Sequence, residues 1–239
     1  PVPYDTMFRP ENMKEAIPAE WVEQGPEFMD KYRDDYLNFR KICDDEAAVR
    51  KMRALYHGSL KFLDDQIGRV LDYLRTSGLW ENTIIVFSTD HGDLMGDHGL
   101  ITKGEKHYDS SIRCPLIIGG GLVHPAIASQ LACSLDLYPT FCEWADANKE
   151  ILPPIEGKSL VKLCSGESSE TFWDEIAITF DECHTVITND GFRLTRYTAG
   201  NDGQMFDLFN DPDEQNNLYH NPDYVEKKVE LLEILIKAS

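Results

Sequence analysis

No apolar run in this 239-residue sequence approaches bilayer-spanning length, since a transmembrane helix takes about 20 consecutive apolar residues. Positive charge is scarce. The 23 Lys and Arg stand against 42 Asp and Glu, a formal net charge of -19. A nucleic-acid partner is disfavoured on that ground, because a binding face needs clustered cations that displace the polymer's counterions. A densely sulfated polymer would likewise be repelled at long range; otherwise the charge means solubility or a salt-rich habitat. The six cysteines, Cys43, Cys114, Cys133, Cys142, Cys164 and Cys183, lack close regular spacing. That excludes a zinc pattern or a small disulfide scaffold and leaves reduced or buried thiols. There is no Asn-Xaa-Ser/Thr acceptor, which counts against a glycosylated secretory protein. No signal peptide is readable, and a chain starting at Pro1 could have lost one, so localisation stays open.

With 42% hydrophobic and 27% charged residues, the composition suits a globular protein with one large or two small cores. Pro1 to Pro26 is proline-rich and aperiodic and reads as an extended connection. From Glu27 to Arg75 the pattern is helical, with Leu55, Leu60, Leu63, Ile67, Val70, Leu71 and Leu74 at three- and four-residue intervals and Gly78 as a stop. Ile84-Ile85-Val86-Phe87 then reads as a buried central strand. A helix feeding such a strand is the repeating unit of a mixed, mostly parallel sheet flanked by helices. Pro115 to Ile118 is a further short strand, and Leu135 to Trp144 a helix capped by Ser134 or Asp136.

After Gly157 the character changes. Ile176–Phe180, Thr185–Thr188, Phe192–Tyr197 and Met205–Leu208 are short strand-like runs separated by Asn189-Asp190-Gly191 and Gly200-Asn201-Asp202-Gly203, which predicts an antiparallel meander. A helix over Val225–Lys237 would pack across it through Val229, Leu232 and Ile236. The predicted organisation is an α/β core over residues 1–150 and a small α+β subdomain over 151–239.

The most informative stretch is the end of the apolar strand, Ser88-Thr89-Asp90-His91-Gly92-Asp93. Ligands of α/β sheets bind just beyond the carboxyl ends of strands, and Asp90 and His91 are two adjacent metal-ligand types at that position. The glycine-rich loop Gly92-Asp93-Leu94-Met95-Gly96-Asp97-His98-Gly99 follows, and then Lys103, Lys106, His107 and Arg113. A divalent cation held by a carboxylate and an imidazole can polarise a sulfuryl or phosphoryl oxygen while a lysine neutralises another. Taken alone, an Asp-His pair would more often be a turn cap and a satisfied histidine.

Five stretches in one order carry the argument further. Thr89-Asp90-His91-Gly92, Gly96-Asp97-His98-Gly99, Lys103, Tyr108 and Arg113-Cys114-Pro115-Leu116-Ile117-Ile118 resemble the sulfatases of the alkaline-phosphatase superfamily. So do the helix Tyr56–Gly68, the segments Ser134–Thr140 and Ile155–Leu160, and Phe206-Asp207-Leu208-Phe209-Asn210-Asp211-Pro212-Asp213-Glu214 through Leu218. The resemblance implies that Asp90 and His91 bind a divalent cation, calcium by family habit with manganese or another transition ion open, and that Lys103 binds the sulfate. His107 is placed equally well in a leaving-group contact or a structural hydrogen bond. His98, Asp93 and Asp97 are loop braces, Arg113 a packing or salt-bridge residue, and His184 a candidate lining residue.

The resemblance also implies a formylglycine nucleophile made from a Cys- or Ser-Xaa-Pro-Xaa-Arg segment, and none of the six cysteines sits in one. The expectation is therefore the carboxyl-terminal portion of a sulfatase, incomplete alone, whose partners are the enzyme's amino-terminal portion and a small-molecule or saccharide sulfate ester. A phosphonate monoester or phosphodiester hydrolase of the same superfamily, and a non-catalytic sulfatase-like binding module, are the alternatives.

Overall fold

The computed structural model describes residues 1–18, 38, 41–103, 106–121, 123–148, 150, 152–166, 172–198 and 202–238. Much of the predicted helical region before residue 41, and Gly200 and Asn201 of one predicted turn, lie outside them.

The long helix α1 spans Glu46–Thr76. It starts where the Asp45 carboxylate accepts the Ala48 N–H at 3.1 Å, so the helical pattern read from Glu27 is interrupted at this cap. It stops at Gly78, whose φ of +73° lets Leu79 N–H reach back to the Leu74 carbonyl at 3.0 Å. The amino-terminal segment lies along α1 instead of running free. Tyr4 donates its hydroxyl to Asp65 at 2.9 Å, and its ring meets Phe62 edge-on. Arg53 reaches the carbonyls of Lys14 and Glu15.

β1 (Ile84–Ser88) pairs with β2 (Leu116–Gly120), and the pairing is antiparallel, with Val86 opposite Ile118. The predicted mixed, mostly parallel sheet is not seen: among the described residues β1 has this one neighbour, and no strand pair is parallel. The structure also corrects the burial of β1, whose Phe87 is 37% exposed while Ile117 across from it is 61% exposed. A two-stranded ribbon has too few neighbours to cover both faces, so a β-branched apolar run here does not mean a buried strand. Between the strands lie the glycine-rich loop and the single turn α2 (Asp109–Ile112).

The helices α3 (Leu137–Trp144) and α4 (Val161–Cys164) follow. Asp136 precedes α3 without capping it. It is buried and accepts the backbone N–H of Cys133 and Lys158 and the Trp173 indole N–H, tying three segments together.

The carboxyl-terminal part is a four-stranded antiparallel meander: β3 (Glu175–Phe180), β4 (Cys183–Thr188), β5 (Phe192–Tyr197) and β6 (Gly203–Asp207), in sequential order. Helix α5 (Val225–Ala238) packs across it. Strand alternation sends Val186, Leu194 and Met205 to one face, where they meet Leu231 and Leu235 of α5. The docking stripe centres on Leu231 and Leu235, one turn apart; of the expected face Leu232 packs beside them, half-buried, whereas Val229 and Ile236 are 47% and 68% exposed. Apolar residues surround this helix, so periodicity fits two adjacent faces equally well and tertiary packing selects one. The other face of the sheet, Cys183, Tyr197 and Phe206, is covered by Leu94, Leu100 and Tyr108 from the glycine-rich loop and its continuation. Both faces of β4–β6 are thus covered, one of them by the loop that carries the candidate site, while β3 is largely exposed.

Candidate metal and oxyanion site

The site begins where β1 runs out. Asp90 Oδ1 accepts the His91 N–H at 3.1 Å and lies 3.2 Å from the Thr89 hydroxyl. Its own backbone N–H, then the neighbouring His91, hold this exposed carboxyl below the usual carboxylate range despite slight desolvation. Asp90 is thus a carboxylate at neutral pH. His91 Nδ1 sits 2.8 Å from the Gly92 carbonyl. A carbonyl only accepts, so Nδ1 carries the proton and Nε2 presents its lone pair. That lone pair faces the Lys103 ammonium at 2.6 Å, and the Asp90 Oδ2 atom lies 3.5 Å away. Asp90, His91 and Lys103 are thus brought together although twelve residues separate the imidazole from the ammonium.

The intervening loop explains how. Leu94 N–H bonds the Thr102 carbonyl at 2.8 Å, and Asp93 Oδ1 accepts both Met95 N–H and Thr102 N–H, closing a neck. Beyond the neck, Met95, His98 and Thr102 all have positive φ, a conformation costing about 1–2 kcal/mol for each non-glycine residue. Burial anchors the loop at His98 and at its neighbours Leu94 and Leu100, each at most 1% exposed, while Thr102 is exposed. The His98 ring stacks on Tyr108 at 3.8 Å. Asp97 joins α1 to the loop, accepting Arg53 Nη2 at 2.6 Å and Ile17 N–H at 2.8 Å. On its other side the site is fixed by Gly92, whose N–H bonds the Ser111 carbonyl at 2.7 Å. A Cβ at Gly92 would stand 2.0 Å from the Ser110 carbonyl oxygen, so glycine is required by this close approach.

His107 does not join the Asp90, His91 and Lys103 group. It is buried, with Nδ1 2.7 Å from the Thr185 hydroxyl of β4. The contact continues inward. Arg193 donates to the Thr195 hydroxyl at 2.9 Å, the Thr195 and Thr185 hydroxyls lie 2.7 Å apart, and Thr185 stands against His107 Nδ1, one continuous hydrogen-bonded relay. His107 is neutral at pH 7. Burial first, then Arg193 and His184, push it down to about 4. His184 sits on β4 within electrostatic reach of His107. Arg113 is exposed and pairs with Asp109 at 3.3 Å. Near Asp90, burial and then the carboxylate itself push the Cys114 thiol up, so it is no activated nucleophile.

Asp90 and His91 are two of the donor types that a divalent cation takes. A carboxylate oxygen and an imidazole lone pair converge on one point, and a cationic ammonium now faces the lone pair. Among the described residues no third His, Cys, Asp or Glu joins them, and a hard cation takes six or more ligands. Sequence reasoning missed Arg193 and Glu214, which pair at 2.5 Å in the interior. Their only signal was Glu214's place in the Asp211-Pro212-Asp213-Glu214 stretch that supports the family resemblance.

Residues 23–147 match the sulfatase family model, and residues 96–239 match that of the N-sulphoglucosamine sulphohydrolase carboxyl-terminal region. The chain is 31% identical to an arylsulfatase of Clostridium perfringens across 98% of its own length and 49% of that protein. It is 33% identical to a choline-sulfatase of Rhizobium meliloti over 79% of the chain and 36% of that protein. The chain therefore spans half or less of the length of these curated relatives. Its fold superposes on a phosphonate monoester hydrolase from Silicibacter pomeroyi with a TM-score of 0.86 at 21% identity, over all of this chain and 52% of that one. The fold is accordingly alkaline-phosphatase-like, and the chain belongs to the sulfatase family.

Proposed function

We propose that this chain forms the carboxyl-terminal part of a metal-dependent sulfuric ester hydrolase and is inactive alone. The observation that supports the reading is the convergence of Asp90 Oδ2, His91 Nε2 and the Lys103 ammonium at the end of β1. Asp90 and His91 would hold a divalent cation, calcium by family habit, with manganese or another transition ion compatible with the imidazole. When bound, such a cation supplies Lewis-acid polarisation of an ester oxygen. Lys103 would then give its ammonium to another oxygen of the same group, neutralising charge that redistributes as the ester bond breaks. The Gly92–Ser111 bond and the 94–102 neck keep these groups in register with one another. His107, neutral and bonded to Thr185, has a positioning role in this reading. The nucleophile, formylglycine in this family, would come from outside the chain, as would the remaining cation ligands. The ester's organic part is not specified by these residues, and the relatives named above differ in it.

The test is hydrolysis by the full-length protein of paired aryl sulfate and aryl phosphonate esters, before and after chelation. Sulfate turnover that disappears on chelation is the expected result. Preferential phosphonate turnover would move the assignment to a phosphonate or phosphodiester hydrolase, and turnover of neither ester would indicate a binding module.

A further inference from the structure

We propose that the buried Arg193–Glu214 pair is a positioning device that sets the Asp90, His91 and Lys103 group from the carboxyl-terminal sheet; this rests on the reading of that group given above. Glu214 lies between β6 and α5, is 2% exposed, and accepts from Arg193 Nε at 2.5 Å through Oε1. Its other oxygen accepts the backbone N–H of Asp109, 105 residues away, at 2.8 Å. Asp109 opens α2, and two residues later the Ser111 carbonyl holds Gly92 N–H beside His91.

A second arm of the same network grips the residue on the other side of Tyr108. Hydrogen bonds run from Arg193 through the Thr195 and Thr185 hydroxyls to His107. Tyr108 itself is fully buried, accepts from Gln204 Nε2 at 2.8 Å and lies under the Arg193 guanidinium. Residues 107–109 are therefore fastened at three successive points to the carboxyl-terminal part, shortly before the Ser110–Ser111 backbone that Gly92 packs against.

The energetics favour a rigid link. The guanidinium is 0% exposed, and its Nη2 has no hydrogen-bond partner. It is compensated by Glu214, by Thr195 and by the faces of Tyr108 and Phe206. Breaking one member of such a buried pair is far more costly than the pair's net worth, so the pair resists separation. A misplacement of about 1 Å at a reacting group is enough to cost roughly 100-fold in rate.

The experiment uses the full-length protein. Glu214→Asp keeps a carboxylate for Arg193 but draws it back from Asp109 N–H. Arg193→Lys keeps the charge but loses the bond to Thr195, and serves if the first variant does not fold. Leu231→Ala, in the α5 packing face and outside the network, is the stability control. Two readouts are taken: the dissociation constant for Mn2+ titrated alone, and hydrogen exchange over residues 89–95. The network variants are expected to weaken Mn2+ binding by roughly 10- to 100-fold and to speed exchange at 89–95, with kcat lowered more than KM is raised. Leu231→Ala is expected to lower Tm without either change. Wild-type Mn2+ affinity and exchange in the folded network variants overturn the proposal, as do equal changes in Leu231→Ala. Should Asp90→Ala retain Mn2+, the metal-site reading fails, and exchange at 89–95 still decides the mechanical link.

Discussion

The carboxyl-terminal meander and the α1/β1–β2 layer have similar apolar patterns and opposite fates. In the meander, Val186, Leu194, Met205 and Phe206 are all fully buried, because α5 covers one face and the glycine-rich loop the other. In the first layer Leu55, Leu60, Leu63, Val70 and Tyr73 of α1 are 45–65% exposed, and Phe87, Leu116 and Ile117 of the ribbon are open as well. A sequence pattern marks which side chains can be buried; neighbours decide which of them are. The candidate site sits at the seam, with its strand in the open layer and its loop packed on the closed one.

The largest expected effect is acid loss of that seam. His98 and His107 are each pushed down to about 4, burial being the first cause for both. Both are neutral in the fold and take up protons on unfolding at pH values between about 4 and the ordinary 6.5. Their contribution is complete above about pH 6.5 and is lost as pH falls towards 4, on the order of 3 kcal/mol for each histidine. Denaturant titrations between pH 7 and 4.5 should show the decline, and His107→Asn, which retains an acceptor for Thr185, should make it shallower. A pH-independent midpoint over this range would contradict the burial of the two neutral imidazoles.

The next effect separates the two regions directly. Leu194→Ala removes a fully buried side chain between sheet and α5 and should cost about 2–5 kcal/mol. Val70→Ala, at a residue 59% exposed, should stay within about 0.5 kcal/mol in the isolated chain. Chemical denaturation of both variants measures the contrast; comparable losses would mean that the open layer is packed after all. The smallest predicted change is in metal binding by Lys103→Ala. Without an ammonium on the His91 lone pair, metal affinity should be unchanged or slightly better while sulfate-ester turnover falls by about 100-fold or more. Loss of metal in that variant would make Lys103 part of the metal site's scaffold.

Some of this was legible in the sequence for definite reasons. Asn189-Asp190-Gly191 marks a hairpin turn because Gly191 needs a φ of +86°, and the alternation on either side sets the strands. The Asp90-His91 pair and Lys103 stand out by residue type and order. The antiparallel partner of β1 was not legible, because Ile84 to Phe87 has the same appearance in a parallel or an antiparallel pair. The face of α5 was undetermined because Val229 and Ile236 have the same helical spacing as the residues that do pack. Nothing in the sequence marks Arg193 and Glu214 as a pair; their pairing depends on a strand and a loop 21 residues apart coming together in the interior.

The central claim is that the end of β1 is a cation site whose carboxylate is Asp90, and metal content of the full-length protein tests it most directly. Elemental analysis of purified wild type and Asp90→Ala, with calcium and manganese supplied, should find about one divalent ion per wild-type chain and none in the variant. Stoichiometric metal retained by a folded Asp90→Ala protein would contradict the account.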